Sequence, residues 1–274
     1  MKNSPTAPLT LLLLAALLVG GCGSTTALQS TSLDREITVD GSMEDWQGAL
    51  TPIEKKKLSL GVLNDGEFLY LALVTSDRQL INQMMIRGLT VWFDAEGGKE
   101  KTFGIRFPLG LMESGAQFSP REAQQNPDVR RELFEAALDE LDIVRSEDKS
   151  TRFPRQAIPR LHVTAKMNAG TLVYELQIPL RTSETHAFAI DAEPGDVIGL
   201  GLETPEINRE AMRQGGRGGG RGGGRGGGGR GGGGRGGFGG GGQGGRGGRG
   251  APQQQPESLK LWTTVELATE GGMD

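Results

Sequence analysis

Short runs in which β-branched, aromatic and aliphatic residues dominate, or alternate with polar ones, recur along the chain. Alternation with a period of two is the pattern of a strand that buries one face. Nine such runs are present: Ile37–Val39, Leu58–Val62, Phe68–Val74, Leu89–Phe93, Thr102–Phe107, Leu161–Ala165, Leu172–Pro179, Val197–Leu202 and Leu259–Leu267. Turn-forming residues separate several of them, most clearly Asn64-Asp65-Gly66-Glu67. The pattern predicts an all-β fold, an antiparallel β-sandwich.

Two stretches with helical spacing interrupt these runs. In the first, Asp77 is a suitable N-cap for a short helix that ends near Met85. Its apolar positions are Leu80, Ile81, Met84 and Met85. The second is a longer amphipathic helix from Asp128 to Leu141, with its apolar stripe at Leu133, Phe134, Ala137, Leu138 and Leu141. We interpret that stripe as a surface that packs on the sandwich, and the alternative is a surface that docks a partner.

The first residues of the chain have the features of a secretory signal. Lys2 supplies one positive charge, Leu11–Val19 is an apolar run of about ten residues, and the small residues Gly20 and Gly21 precede Cys22. The run is too short for a membrane span, which needs about 20 apolar residues. The ending resembles a lipobox, in which a signal peptidase cuts before a cysteine that carries acyl chains such as palmitate. We therefore predict lipidation of Cys22, and the alternative is an ordinary signal peptide with an incidental cysteine.

A glycine-rich tract precedes the last predicted strand. Gly215–Gly250 contains Phe238 as its one aromatic residue, so it cannot bury enough apolar surface to order itself, and we expect disorder. Because Leu259–Leu267 has the length of a core strand, the tract is predicted to be a long inserted loop, which loop-closure entropy tolerates. The predicted organisation is a signal peptide (1–21), a tether (22–34), a sandwich (35–214), a Gly/Arg-rich insertion (215–256) and the final strand with the C-terminus (257–274).

Charge and cysteine content narrow the chemistry further. Residues 23–214 carry 21 Lys and Arg against 30 Asp and Glu, whereas the glycine tract carries seven arginines and no acidic residue. An acidic body and a basic segment attract each other, an effect that salt screens. Cys22 is the single cysteine of the chain. Once it is lipidated, no thiol remains for a disulfide or a thiolate metal site.

Several motifs, in their order along the chain, resemble those of family 9 carbohydrate-binding modules and the related DOMON-like β-sandwich domains. They are Ile37-Thr38-Val39-Asp40-Gly41-Ser42-Met43-Glu44-Asp45-Trp46, Asp65-Gly66-Glu67-Phe68-Leu69-Tyr70-Leu71-Ala72-Leu73, Val91-Trp92-Phe93-Asp94, Tyr174-Glu175-Leu176-Gln177-Ile178-Pro179-Leu180 and Ile198-Gly199-Leu200. The match extends roughly from Ile37 to Leu267, without the glycine tract and the second helix. The resemblance implies a sandwich, and it implies Trp46 buried against the first strand.

The resemblance also implies that sugar ligands stack on exposed tryptophans. Trp92 and Trp262 lie within predicted strands and are the candidate ligand-binding residues. The competing interpretation places both in the core, because aromatic residues within strands are more often buried than exposed. The sequence pattern leaves both interpretations open.

No residue pattern indicates catalysis or a cofactor. His162 and His186 are separated in the sequence and lack a metal-ligand pattern, so we expect structural or solvated roles. The glycine tract lacks the Gly-Lys-Ser/Thr ending of a phosphate-binding loop. Asp94 and Glu96 lie in a predicted turn, where either a solvated turn or a calcium site would fit. We therefore predict a non-enzymatic protein with no cofactor and no metal.

The arginines of the tract are candidates for polyanion contact: Arg217, Arg221, Arg225, Arg230, Arg235, Arg246 and Arg249. Arginine–glycine repeats bind RNA through phosphate contacts and stacking, but an exported protein is expected to meet acidic polysaccharide or lipopolysaccharide instead. The sequence thus predicts a lipid-anchored protein of the bacterial cell envelope, at the outer membrane, that binds a carbohydrate or another surface ligand. The alternatives are a structural or assembly lipoprotein that contacts envelope proteins, a polyanion-binding protein, and a passive spacer role for the tract.

Overall fold

A computed structural model describes residues 27–111, 126–146, 148–206 and 257–269. The chain divides into two units, one formed by Met1–Thr204 with Leu259–Asp274 and the other by Pro205–Ser258. The strands and helices given below belong to the first unit. In the second unit the described residues, 205–206 and 257–258, carry neither helix nor strand.

Two sheets form the first unit. The seven-stranded sheet contains, in order across it, β1 (Leu28–Gln29), β13 (Lys260–Glu266), β12 (Val197–Glu203), β6 (Thr90–Asp94), β7 (Phe103–Arg106), β8 (Glu140–Ser146) and β9 (Lys149–Pro154). The six-stranded sheet contains β10 (His162–Asn168), β11 (Thr171–Pro179), β5 (Phe68–Thr75) and β4 (Leu58–Asn64), with β2 (Thr31–Ser32) and β3 (Leu50–Ile53) both paired to β4. All pairs except β1–β13 and β2–β4 are antiparallel.

The core lies between the two sheets. Leu71 and Leu73 of β5 meet Val91 and Phe93 of β6 in one cluster of buried apolar side chains. The predicted all-β sandwich is therefore confirmed. Its last strand is also confirmed, because β13 pairs along its whole length with β12. Glu203 stands opposite Lys260, so the two ends of the intervening residues lie side by side, as a loop inserted between two hairpin strands requires.

The first helix forms as its capping residue predicts. α1 spans Arg78–Arg87, and the Asp77 carboxylate accepts a hydrogen bond from the Leu80 N–H at 2.9 Å. All four predicted apolar positions are buried. The helix ends at Gly88, whose φ of +86° is in the region that favours glycine. No helix among the described residues is long and apolar enough to span a bilayer.

The second helix ends earlier than its apolar stripe suggests. α2 spans Pro127–Asp139, and Asn126 caps it by accepting from the N–H groups of Asp128 and Val129. Leu141, predicted to be the last residue of the stripe, lies instead in β8 and is fully buried between the sheets. When apolar residues continue from a helix into a core strand, their pattern does not reveal where the helix ends and the strand begins.

The N-terminal described residues cross from one sheet to the other. Leu28 pairs with Val265 in the seven-stranded sheet, and Thr31 pairs with Leu63 in the six-stranded sheet. These residues fall in the segment assigned from the sequence to a tether, so paired structure begins before residue 35. The predicted strand Ile37–Val39 is not a strand; there, the Thr38 N–H donates to the Asp45 carboxylate at 3.0 Å.

Candidate functional site

The outer face of the seven-stranded sheet carries two of the three tryptophans. Trp262 pairs with Gly201, Gly201 pairs with Trp92, and Trp92 pairs with Gly104, which puts all four residues in one row across β13, β12, β6 and β7. Directly paired residues project from the same face of a sheet. Successive residues of a strand point to opposite faces, and Val91, next to Trp92, lies in the core. The row therefore faces away from the core.

Each indole of this row lies flat against a glycine of the adjacent strand. A Cβ built on Gly201 would stand 2.7 Å from Cε2 and Cζ2 of Trp262, and a Cβ built on Gly104 would stand 2.7 Å from Cε3 of Trp92. Glycine within a strand commonly marks such a close approach. The two indoles therefore cover neighbouring parts of the sheet surface, two strand spacings or roughly 10 Å apart.

The two indoles differ in accessibility. Trp92 is only 4% exposed, and among the described residues its buried Nε1–H has no acceptor. Trp262 is partly exposed and its Nε1–H donates to Oε1 of Glu203 at 3.1 Å. Of the two candidate ligand-binding residues, Trp262 thus offers surface to solvent, while Trp92 fits the interpretation as a buried residue, though on the outer face of the sheet and not in the core.

An ion pair links the two indoles. Nζ of Lys101 lies 2.7 Å from Oε2 of Glu203 and 5.7 Å from the ring centroid of Trp92. Glu203, the last residue of β12, therefore receives the indole N–H of Trp262 on one oxygen and the ammonium of Lys101 on the other. Both charged side chains remain partly exposed, at 28% for Lys101 and 16% for Glu203. Neither residue stands out in the sequence, since their proximity depends on strand pairing.

A second row of polar groups borders the first on the same face. The almost fully buried Asp142 of β8 receives the Arg152 Nε–H at 2.9 Å, and Nη1 of Arg106 lies 3.9 Å from its other oxygen. Arg152 also lies 3.9 Å from Glu140. The aromatic surface of Trp92 on β6 and Trp262 on β13 is thus edged by paired charges on β7, β8 and β9.

The third tryptophan has a structural role on the other sheet. Trp46 is 1% exposed and lies over Gly61 of β4, where a Cβ would stand 2.6 Å from its Cε3. Its Nε1–H donates to Oε1 of Glu175 at 2.6 Å, and the Gly41 N–H donates to the other oxygen. Burial raises the pKa of the Glu175 carboxyl, whereas the bonds from Trp46 and Gly41 act in the opposite direction.

The hydrogen bonds of Glu175 with Trp46 and Gly41 explain several motifs that support the family resemblance. The Asp40-Gly41 dipeptide, Trp46 and Glu175 meet at one place on the outer face of the six-stranded sheet, while the neighbouring Tyr174 faces the core. They hold the segment that precedes β3 against the sheet. The expected burial of Trp46 is therefore observed, and Trp46, Gly41 and Glu175 have structural roles.

The two histidines lie apart. His162 on β10 is exposed on the outer face of the six-stranded sheet. His186 is buried in the loop after β11, where Nδ1 lies 2.6 Å from the hydroxyls of Ser183 and Thr185 and Nε2 lies 3.0 Å from Oε1 of Glu67. The ring thereby joins that loop to the β4–β5 hairpin, a structural role of the predicted kind.

The turn after β6 uses its carboxylate within the backbone. Asp94 accepts from the N–H groups of Glu96 at 3.1 Å and Glu100 at 2.8 Å. Asp94, although only 4% exposed, therefore closes the turn through these two backbone hydrogen bonds. In the parts of the chain that the structure describes, no three His, Cys, Asp or Glu side chains converge as metal ligands would.

Cys22 and the arginines of the glycine tract lie outside the described residues. The predicted signal peptide, the predicted disorder of residues 215–256 and the side chain of Phe134 in α2 lie outside them as well.

Comparisons with known proteins find similarity to solved structures only, and that similarity concerns the fold. No family model matches the chain, and no curated protein matches its sequence. Two similar solved structures are of a family 9 carbohydrate-binding module from Caldicellulosiruptor kristjanssonii, one in complex with cellotriose and one with glucose. The first is 12% identical, with a TM-score of 0.33 over 67% of this chain and 78% of that one. The second is 11% identical, with a TM-score of 0.32 over 67% and 80%. Such a likeness concerns the general fold and establishes neither family nor ligand.

Proposed function

We propose that the chain is a non-enzymatic, lipid-anchored binding protein of the bacterial cell envelope, located at the outer membrane, whose sandwich holds a carbohydrate on the outer face of the seven-stranded sheet. The observation that carries the proposal is the partly exposed indole of Trp262, which lies flat over Gly201 with the ionised side chains of Glu203 and Lys101 beside it. We call these residues, together with Trp92, the tryptophan face.

The chemistry of this face complements a sugar. A pyranose ring presents an apolar surface of C–H groups and a rim of hydroxyls, so it needs a flat apolar contact and polar groups at its edge. Small-molecule sites combine these features, with aromatic walls and a few polar groups that fix orientation. The indole of Trp262 supplies the flat contact, and Glu203 and Lys101 supply an acceptor and a donor at its edge.

The anchor is supported by the lipobox-like residues before Cys22. An acylated protein with two or more chains stays on the membrane, since each buried methylene contributes roughly 0.8 kcal/mol. The first strand begins at Leu28, and the residues from 22 to 28 span about 20 Å at most when extended. The lipid would therefore hold the sandwich close to the membrane surface, where envelope glycans are found.

A structural or assembly role is the second candidate, and the burial of Trp92 favours it. A face built for stacking on two indoles would expose both, whereas Trp92 retains only 4% of its surface. A protein that holds envelope proteins together needs the sandwich without a sugar site, so a failure of glycan binding would favour it.

The test is a glycan array with the mature chain, residues 22–274, in detergent. We expect at least one class of glycan to bind, and Trp262→Ala to weaken that binding by tenfold or more while Trp262→Phe retains part of it. His162→Ala, exposed on the other sheet, is the matched control and should bind as the wild type does. No bound glycan at high protein concentration would refute sugar binding, and full binding by Trp262→Ala would refute the site.

Anchoring is tested separately by metabolic labelling with palmitate. The wild-type chain should take up label and fractionate with outer membranes, and Cys22→Ala should do neither. Unchanged labelling of the variant would contradict lipidation at Cys22, whatever the result for sugars.

A further inference from the structure

The tryptophan face already holds a cation. The ammonium of Lys101 lies 5.7 Å from the ring centroid of Trp92 and 2.7 Å from Oε2 of Glu203. A cation within about 6 Å of an indole centroid is attracted by the electron density of the ring. A carboxylate beside that ring adds a counter-ion, so the pair selects positive charge.

The walls of this position come from the sheet, whereas the cation comes from a loop. Trp92 belongs to β6 and Glu203 to β12, while Lys101 lies between β6 and β7. Gly104 lets the indole of Trp92 lie flat. The Trp262 Nε1–H holds the other oxygen of Glu203 at 3.1 Å, so the carboxylate is oriented independently of the lysine. The ring and the counter-ion are thus arranged in advance by the sheet, and the side chain that fills the position is supplied by a loop.

We propose that Trp92, Trp262 and Glu203 form a binding site for the ammonium group of an amine-bearing sugar, and that Lys101 occupies this position in the protein without ligand. This inference rests on the proposed glycan binding and names the class of glycan. A protonated amino sugar matches both parts of the face, because its ring stacks on Trp262 while its ammonium replaces that of Lys101 between Trp92 and Glu203.

One further feature fits this exchange. The side chain of Lys101 retains 28% of its exposure, so it has solvent into which it can turn. A neutral sugar could stack on Trp262 but would leave Lys101 in place.

The experiment compares two matched ligands by titration calorimetry on the mature chain. One is a β-linked oligomer of glucosamine, assayed at pH 5.5 so that its amines are protonated, and the other is its fully N-acetylated counterpart, which is neutral. We expect the amine oligomer to bind the wild type at least fivefold more tightly than the acetylated one. Lys101→Ala should strengthen binding of the amine oligomer by fivefold or more, because the internal competitor is removed, and Glu203→Gln should weaken it by tenfold or more.

Controls separate the site from general charge attraction and from misfolding. Glu36→Gln removes the same charge from an exposed position outside the face and should leave affinity within twofold. Lys101→Ala keeps the test decisive if Glu203→Gln is poorly folded, because a gain of affinity cannot come from unfolding. Equal binding of the two oligomers, or weaker amine binding by Lys101→Ala, would overturn the inference and leave glycan binding standing. Binding of neither oligomer to wild type or Lys101→Ala would overturn the inference, while the array separately decides glycan binding.

Discussion

Replacing Tyr174 by phenylalanine is expected to stabilise the sandwich. Tyr174 lies in β11 with its ring between the two sheets, fully buried and 6.2 Å from the ring of Phe107. Among the residues that the structure describes, none is a hydrogen-bond partner for its hydroxyl. Burial raises the pKa of this phenol, so the group remains neutral and its cost is that of a desolvated hydroxyl.

The magnitude follows from that desolvation. A buried polar group without a partner costs about 1–3 kcal/mol relative to its hydration in the unfolded chain. Phenylalanine keeps the ring and its packing and removes the oxygen alone. The small void left by the oxygen offsets part of the gain, so we expect the free energy of unfolding to rise by about 1 kcal/mol. For a domain of this size that corresponds to a Tm increase of roughly 2–4 °C.

The assay is urea unfolding followed by far-UV circular dichroism, with an unchanged m-value as the sign that only stability has shifted. The chain has one other tyrosine, Tyr70, whose hydroxyl donates to Oδ2 of Asp65 at 3.3 Å. Tyr70→Phe is therefore the matched control and should lower the free energy of unfolding by about 0.5–1.5 kcal/mol. If Tyr174→Phe instead destabilises the fold by 1 kcal/mol or more, the hydroxyl has a partner, such as a buried water, and the reasoning fails.

Three further predictions concern pH, helix capping and the glycine tract. Burial raises the pKa of Glu175, so the stability that this carboxyl contributes is fully present below the ordinary glutamate pKa of about 4.3 and declines as pH rises through the raised value. The free energy of unfolding of the wild type, relative to that of Glu175→Gln, should therefore fall as pH rises from 4 to 8 in urea unfolding. A difference that stays constant over this range would contradict the prediction. Asp77→Ala should lower the free energy of unfolding by about 1 kcal/mol because it removes the cap of α1, whereas Asp77→Asn should retain most of that stability because an amide oxygen can also cap. The pKa of Asp77 is lowered, first by the Leu80 N–H and then by Lys57, so the Asp77 contribution should be lost as pH falls through that lowered value, and equal losses in both variants would argue against capping. Deleting Gly215–Gly250 should abolish salt-sensitive binding to heparin, used as a model polyanion, and leave the Tm within about 1 °C; retention of the salt dependence would show that the tract does not bind polyanions.

Local patterns were sufficient for most of the strands and for the start of α1. A period of two reveals strands such as β4 and β5, and a carboxylate before an apolar helical stripe reveals the N-cap at Asp77. Strands without such a pattern escaped. β9 (Lys149–Pro154) is an edge strand made largely of polar residues, and β8 begins directly where α2 ends, so its apolar residues read as a continuation of the helix.

For the candidate site, the sequence predicted only that two tryptophans lie within strands. The sequence places Trp92 and Trp262 in strands but cannot tell whether they share a face, because that depends on the order in which β6, β12 and β13 pair. The sequence also does not indicate the ion pair of Lys101 and Glu203, because these residues come together beside the indoles only in the folded sheet.

The class of fold follows from local sequence, because alternation, turn residues and helix caps act over a few residues of chain. The reason for glycine inside strands emerges only from the tertiary fold. Gly61, Gly104 and Gly201 weaken strands locally, yet each lies beneath a tryptophan of another segment and allows its indole to lie flat. That contact joins residues distant in sequence, so it exists only once strand order and register are set.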